Sequence, residues 1–227
     1  MKTFKKLRSE IKKKGSGIIP APIHFRHVGS SPEGLEEAHI DSWIGTRDNN
    51  HIPRRASMES VLGSAENLNT EQKKSLRKYT TSSFKLNKDL IDNNTDEKQN
   101  EQVKHLDSAI DANRIKTRVH TYSGVSFDPT KHMDENGQLH SPAYISTSHD
   151  KETASRFSVP KDGIHHIIHL HIDANGPAMH VPEHISGLGE DEIILKRGTT
   201  LQHHGYTDYT HPHRTYRVHR MTVVNKE

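Results

Sequence analysis

Apolar residues recur at helical spacing between residues 70 and 115 and at alternating spacing from residue 116 onward, so the chain reads as helices followed by strands. In TEQKKSLRKYTTSSFKLNKDLIDNN, which opens at Thr70, the residues Leu76, Tyr79, Phe84, Leu86, Leu90 and Ile91 mark one apolar side. A polar break at residues 80–83 divides that side, so two consecutive helices are expected, with Asn69 or Thr70 as the cap. Beyond a polar gap, Val103, Leu106, Ile110 and Ile115 predict a third helix ending around Asn113. Residues 116–127 then alternate and are rich in β-branched and aromatic types. AYIST, GIHHIIHLHID, EIILKR, TTLQHH and RTYRVHRMTVV follow as strand candidates between Gly, Pro and Asp turns. Helices first and strands afterwards define an α+β domain with a mostly antiparallel or mixed sheet.

Residues 1–55 lack such periodicity. They hold a basic run to Lys14, then GSGIIPAPIHF and VGSSPEGLEE, with one short helix expected over residues 32–43 behind Ser31. We read them as a basic, loosely structured arm and residues 56–227 as the folded domain. A hydrophobic fraction of 30% and a mean hydropathy of −0.89 leave room for only a small core, consistent with such a division. The arm suits an acidic partner. It lacks the aromatic interleaving of a single-strand binder, so nucleic acid is not expected. No stretch is apolar enough to span a bilayer, and no apolar segment follows the basic start as in a secretory signal. With no Cys there is no disulfide framework, thiolate zinc site or cysteine nucleophile.

Two features carry candidate chemistry. In GLGEDEIILKRGTTLQ, Glu190 and Glu192 stand two residues apart before a short apolar strand, and strand geometry points both to one face. Such a pair suits a reaction through a cationic centre: one carboxylate opposes developing positive charge while the other positions or deprotonates a nucleophile. The second feature is the count of 20 His. Along GIHHIIHLHID, His165, His169 and His171 fall on one face and His166 on the other. No carboxylate or further His lies at ligand spacing along that strand, so the histidines read as its polar face and no metal is expected.

Three motifs in order resemble the ADP-ribosyltransferase family of the arginine-serine-glutamate type, which includes binary bacterial toxins and phage enzymes. They are Tyr122-Ser123-Gly124 for the family's aromatic-Arg-Gly, Ser146-Thr147-Ser148 leading into a helix near His149 or Asp150, and Glu190-Asp191-Glu192 for Glu-x-Glu. The resemblance covers residues 57–225. It implies N-terminal helices packed on a split core of two mixed or antiparallel sheets, NAD as substrate, and mono-ADP-ribosylation of arginine in a host protein, after delivery into the cytoplasm or from a virion. By the same resemblance, Glu192 binds the ribose and opposes its charge, Ser146 orients that carboxylate, and Glu190 holds and deprotonates the acceptor. Tyr122, Ser123, Gly124, Thr147 and Ser148 flank the NAD, and Tyr144 with residues 181–188 faces the target. The family's phosphate-binding Arg is Ser123 in this chain, and Arg156 is the candidate cation to replace it. Two alternatives follow from that loss: a structural or virion interaction protein that keeps the fold, or an NAD glycohydrolase.

Overall fold

The computed structural model describes residues 67–186, 192–210 and 214–224, with the backbone of Arg26–His27 and His211. The helix expected over residues 32–43 lies outside these, as does the arm apart from Arg26–His27, which forms strand β1.

Helix α1 (Thr70–Ile91) starts where the sequence supplies a reciprocal cap. The Asn69 side chain accepts from the Gln72 N–H, and the Gln72 side chain accepts from the Asn69 N–H, both at 2.9 Å. At Ser82 the backbone leaves the helical region (φ −154°, ψ 60°), inside the polar break, so the two expected helices are one element with a kink. Helix α2 (Glu97–Ala112) repeats the device with Asp96 and Gln99 and ends at Asn113. Then come β2 (Val119–Val125), β3 (Gln138–His140), β4 (Ile145–Ser148), α3 (Lys151–Phe157) and β5 (Ile164–Ile172). The chain continues through β6 (Ala178–Val181), α4 (Glu183–Ser186), β7 (Glu192–Leu195), β8 (Thr200–His211) and β9 (Arg214–Val224). Strands β3 and β6 and helix α4 were not anticipated. β6 is buried at every position and set between Pro177 and Pro182, so it shows no alternation. The other two are too short to carry a period.

The strands form one hydrogen-bonded network in the order β1-β8-β9-β5-β2-β4-β7-β6, with β3 beside β8. β5 and β9 run parallel and the remaining pairs are antiparallel. The expected split of the core takes a particular form. β2 and β5 match over seven residue pairs, whereas β2 and β4 meet at Tyr122 and Ser148 alone. Two leaves, β8-β9-β5-β2 and β4-β7-β6, therefore diverge from a single pairing.

Each side of the sheet has its own core. α1 and α2 bury Leu76, Tyr79, Leu106 and Ile110 against Met179, Val181 and Ile194. On the other side Ile168, Leu170, Ile193, Leu195, Leu201 and Met221 pack together. Strand alternation explains the division, since Ile194 points to the helices and Ile193 and Leu195 point away. Leu106 is fully buried between helix and sheet. Leu106→Ala is expected to lower unfolding free energy by about 2–5 kcal/mol, seen in urea as a lower midpoint with an unchanged slope.

Candidate active site

A cleft of about 720 Å³ opens where the two leaves diverge. Its floor comes from β2 and β4, and one wall from the half of α1 beyond the kink, including Phe84, Asn87, Lys88 and Ile91. Tyr122, Ser123, Gly124, Ser146, Thr147, Ser148 and Glu192 all line it. Residues from three separate stretches of sequence thus meet in one cavity.

Glu192 is the first residue of β7 and only 6% exposed. Its cross-strand neighbours are Ser148 on β4 and Val181 on β6. Ser148 in turn pairs with Tyr122, and Tyr122 with His169 on β5, so one transverse row of the sheet runs from Glu192 to a tyrosine stacked on an imidazole, 4.7 Å between ring centres. The register gives Ser148, rather than Ser146, the place opposite the carboxylate. Ser146 pairs with Ile194 instead, and its Oγ lies 3.1 Å from the Tyr79 hydroxyl. Asn87 Nδ2 donates to that same hydroxyl (3.2 Å) and to the Tyr144 carbonyl (3.0 Å), which fastens the far half of α1 to the start of β4.

The remaining motif residues have structural duties. Thr147 Oγ1 donates to the Ile193 carbonyl at 2.9 Å and pins β4 to β7. Ser123 Oγ donates to the Ser146 carbonyl at 2.9 Å and ties β2 to β4 beside their one pairing. Ser148 Oγ accepts from the Asp150 N–H, and the Asp150 side chain caps α3 by accepting from the Glu152 and Thr153 N–H groups. The helix begins where the sequence placed it. Ala154 packs inward as expected, while Phe157 is half-buried at the cleft. Gly124 has a plain steric reason. A β-carbon there would lie 2.0 Å from the Ala154 carbonyl oxygen and 2.6 Å from the Ser158 nitrogen, both backbone atoms of the α3 region. Only a residue without a side chain lets α3 lie against β2.

Other expectations fare differently. Arg156 is exposed on α3 and does not line the cleft. Lys88, paired with Asp92, is the one Lys or Arg among the described residues that lines the cleft, and the sequence reading passed over it as part of a helix. Residues 181–186 were expected to face a target. Instead Val181 and Ile185 are buried in the helix-side core, and Arg77 Nε donates to the Ile185 carbonyl. Glu190 and residues 187–188 lie outside the described residues. Tyr144 lines the cleft but is 3% exposed, and its hydroxyl bonds to Asp107 at 2.7 Å. Burial, reinforced by that carboxylate, pushes its pKa upward, so it stays protonated.

The sequence profile of the ADP-ribosyltransferase exoenzyme family matches residues 58–226. The chain belongs to that family. A comparison with curated protein sequences finds no significant match. Among solved structures, the ADP-ribosyltransferase toxin Plx2a from Paenibacillus larvae shares the fold at 17% identity (TM-score 0.56; 75% of this chain, 91% of that one). The enzymatic component C2-I of the Clostridium botulinum C2 toxin does so at 18% identity (TM-score 0.62; 76% and 47%). The ADP-ribosylating toxin BECa of C. perfringens, solved with NADH, does so at 16% (TM-score 0.58; 74% and 47%). The chain therefore spans about half the length of the last two, and the fold is that of toxin-type ADP-ribosyltransferases, a family that uses NAD as substrate.

Gly124→Ala is expected to destabilise the protein by about 3 kcal/mol or more, because the clash is with backbone that no side-chain rotation can relieve. Thermal unfolding of the variant measures this, and retention of the wild-type midpoint would mean that α3 does not rest on β2.

Proposed function

We propose that the chain is an NAD-dependent mono-ADP-ribosyltransferase that modifies arginine side chains of a protein in a host cell. The observation that carries this reading is the buried carboxylate of Glu192 in a cleft shared with Tyr122-Ser123-Gly124 and Ser146-Thr147-Ser148. A cleft of about 720 Å³ with an apolar wall and one buried carboxylate fits a dinucleotide whose ribose is the reacting part. When bound, NAD supplies a ribosyl carbon whose bond to nicotinamide breaks, the electron pair leaving with nicotinamide. Glu192 opposes the positive charge that develops there, and its low exposure strengthens the effect by excluding water. Ser146 is a positioning residue on β4, its hydroxyl held by Tyr79 and its carbonyl by Ser123. Glu190 takes the proton of the attacking guanidinium, which is otherwise charged and a poor nucleophile at neutral pH. Lys88 stands in for the cation that Ser123 lacks and meets the pyrophosphate.

A second reading has its own supporting observation. The Ser123 hydroxyl is committed to the Ser146 carbonyl, so the position braces β2 against β4 without offering charge. A chain that keeps the fold as an interaction or virion component, with weak or no transfer, is consistent with that. No helix among the described residues is long and apolar enough to cross a membrane.

Labelled NAD and a cell lysate separate these readings. Wild type is expected to label protein, and Glu192→Gln to lower both labelling and nicotinamide release by about 10²–10³-fold. Glu190→Gln should abolish protein labelling while NAD cleavage to free ADP-ribose persists. Loss of both activities in the folded Glu190→Gln variant would remove the arginine assignment, and absence of both in wild type would favour the interaction protein. Lys88→Ala is expected to raise KM for NAD about tenfold with little change in kcat, as for loss of a contact made equally in ground and transition states. An unchanged KM would free Lys88 of that role.

A further inference from the structure

Next to the cleft, which Val125, Phe127 and His132 line, the turn after β2 brings Asp128 against two histidines from different strands. His166 of β5 and His219 of β9 are 2% and 0% exposed. His166 Nδ1 and His219 Nε2 stand 3.0 Å apart, and Asp128 Oδ1 lies 4.0 Å from the same His166 nitrogen. One ligand atom from each of the three falls within 4.8 Å of the others. Four bonds to zinc of about 2.0–2.1 Å in a tetrahedron place neighbouring ligand atoms about 3.4 Å apart, so small side-chain rotations bring this trio to that spacing.

The surroundings are those of a ligand set. His219 Nδ1, the nitrogen turned away from the trio, lies 3.4 Å from His203 Nε2, a contact that orients the ring and leaves Nε2 directed at the trio. Asp128 is oriented by two bonds from Thr130, its N–H at 3.0 Å and its hydroxyl at 2.7 Å. The nearby cations are already engaged, Arg217 by both oxygens of Asp208 at 2.7 Å and Lys131 by Asp162 at 3.8 Å. A single proton between the two imidazoles satisfies that pair but leaves the carboxylate facing them beyond hydrogen-bond reach. A divalent cation at the centre gives the two imidazoles and the carboxylate, whose Oδ1 also accepts from Thr130, one common partner. Two imidazoles and a carboxylate, without thiolate, suit zinc better than calcium or magnesium.

We propose that Asp128, His166 and His219 form a zinc site that clips the end of β2 to β5 and β9, with His203 supporting His219. A fourth tetrahedral position is left for water. The set is not legible along β5 alone, because the partners of His166 come from a turn and a strand elsewhere in the chain. His165, on the same strand, bonds to Ser158 instead. A second group, His120, His169 and His171, is half-buried on the opposite face, with the paired rings of His120 and His171 4.1 Å apart. It has no carboxylate and serves as the internal control.

The test uses the full chain without an affinity tag, stripped with a chelator, dialysed, and titrated with zinc alone by calorimetry, with bound metal counted by mass spectrometry. One zinc per chain is expected, and the unfolding midpoint should rise with free zinc concentration. Asp128→Asn and His219→Gln should each weaken binding by more than 100-fold, and His203→Gln by about 10–100-fold. His120→Gln should leave affinity unchanged. If His219→Gln fails to fold, Asp128→Asn, at the rim of the site, carries the test. Absence of zinc binding by folded wild type overturns the proposal, as does binding lost with His120→Gln and kept with Asp128→Asn. These readouts do not involve transferase activity, so the proposal stands or falls independently of that reading.

Discussion

The close approach of α3 to β2 at Gly124 is the contact on which the cleft depends. Because the α3 backbone occupies the space a β-carbon would need, helix and strand approach as nearly as two backbones can. That fixes the direction in which the chain leaves β4, since Ser148 and Asp150 start α3 directly after the one pairing between β2 and β4. The leaves then separate, and the opening between them is the cavity. Glu192 is held at its base by register: it shares a sheet row with Ser148 and Tyr122, so nothing local to residues 190–195 has to define its position.

Much of this was legible in the sequence where the signal was local. The cap at Asn69, the break before Phe84, the strand periods and the helix after Ser148 are consequences of nearest neighbours along the chain, and the structure contains each of them; the cap at Asp96 lay unread in the polar gap before α2. The three motif stretches, read in order from the sequence, each contribute residues to one cleft. What escaped was set by pairing between distant segments. That Ser148 rather than Ser146 pairs with Glu192 is a matter of a two-residue register along one face of β4. That Lys88 reaches the cleft while Arg156 does not follows from the kink at Ser82 and from the outward side of α3. The residues after β6 were expected to face a target, yet Ile185 is drawn beneath α1. Apolar content in four residues is too little to announce this.

Ser123, where the resemblance expects an arginine, bears on what holds the floor of the cleft. A guanidinium braces two strands through several donors and carries charge to a ligand, whereas a serine hydroxyl has one proton to give. Here it goes to the Ser146 carbonyl, so Ser123 braces β2 against β4 and brings no charge. Lys88 approaches from the opposite wall, on an element joined to the floor by Asn87 and Tyr79. Electrostatic attraction for a diphosphate would then depend on α1 as much as on the sheet.

The position of β9 bears on the order in which the molecule assembles. Although it is the last strand in sequence, it lies between β8 and β5 and supplies the parallel neighbour of β5 over eight residue pairs. Until residues 214–224 are available, β5 presents one unpaired edge, and β8 lacks the partner that joins it to the rest of the larger leaf. The smaller leaf, β4-β7-β6, needs nothing beyond Leu195. Synthesis from the N-terminus would thus complete the carboxylate's own leaf first and the opposite lip of the cleft afterwards, through long-range pairings of the kind that slow folding.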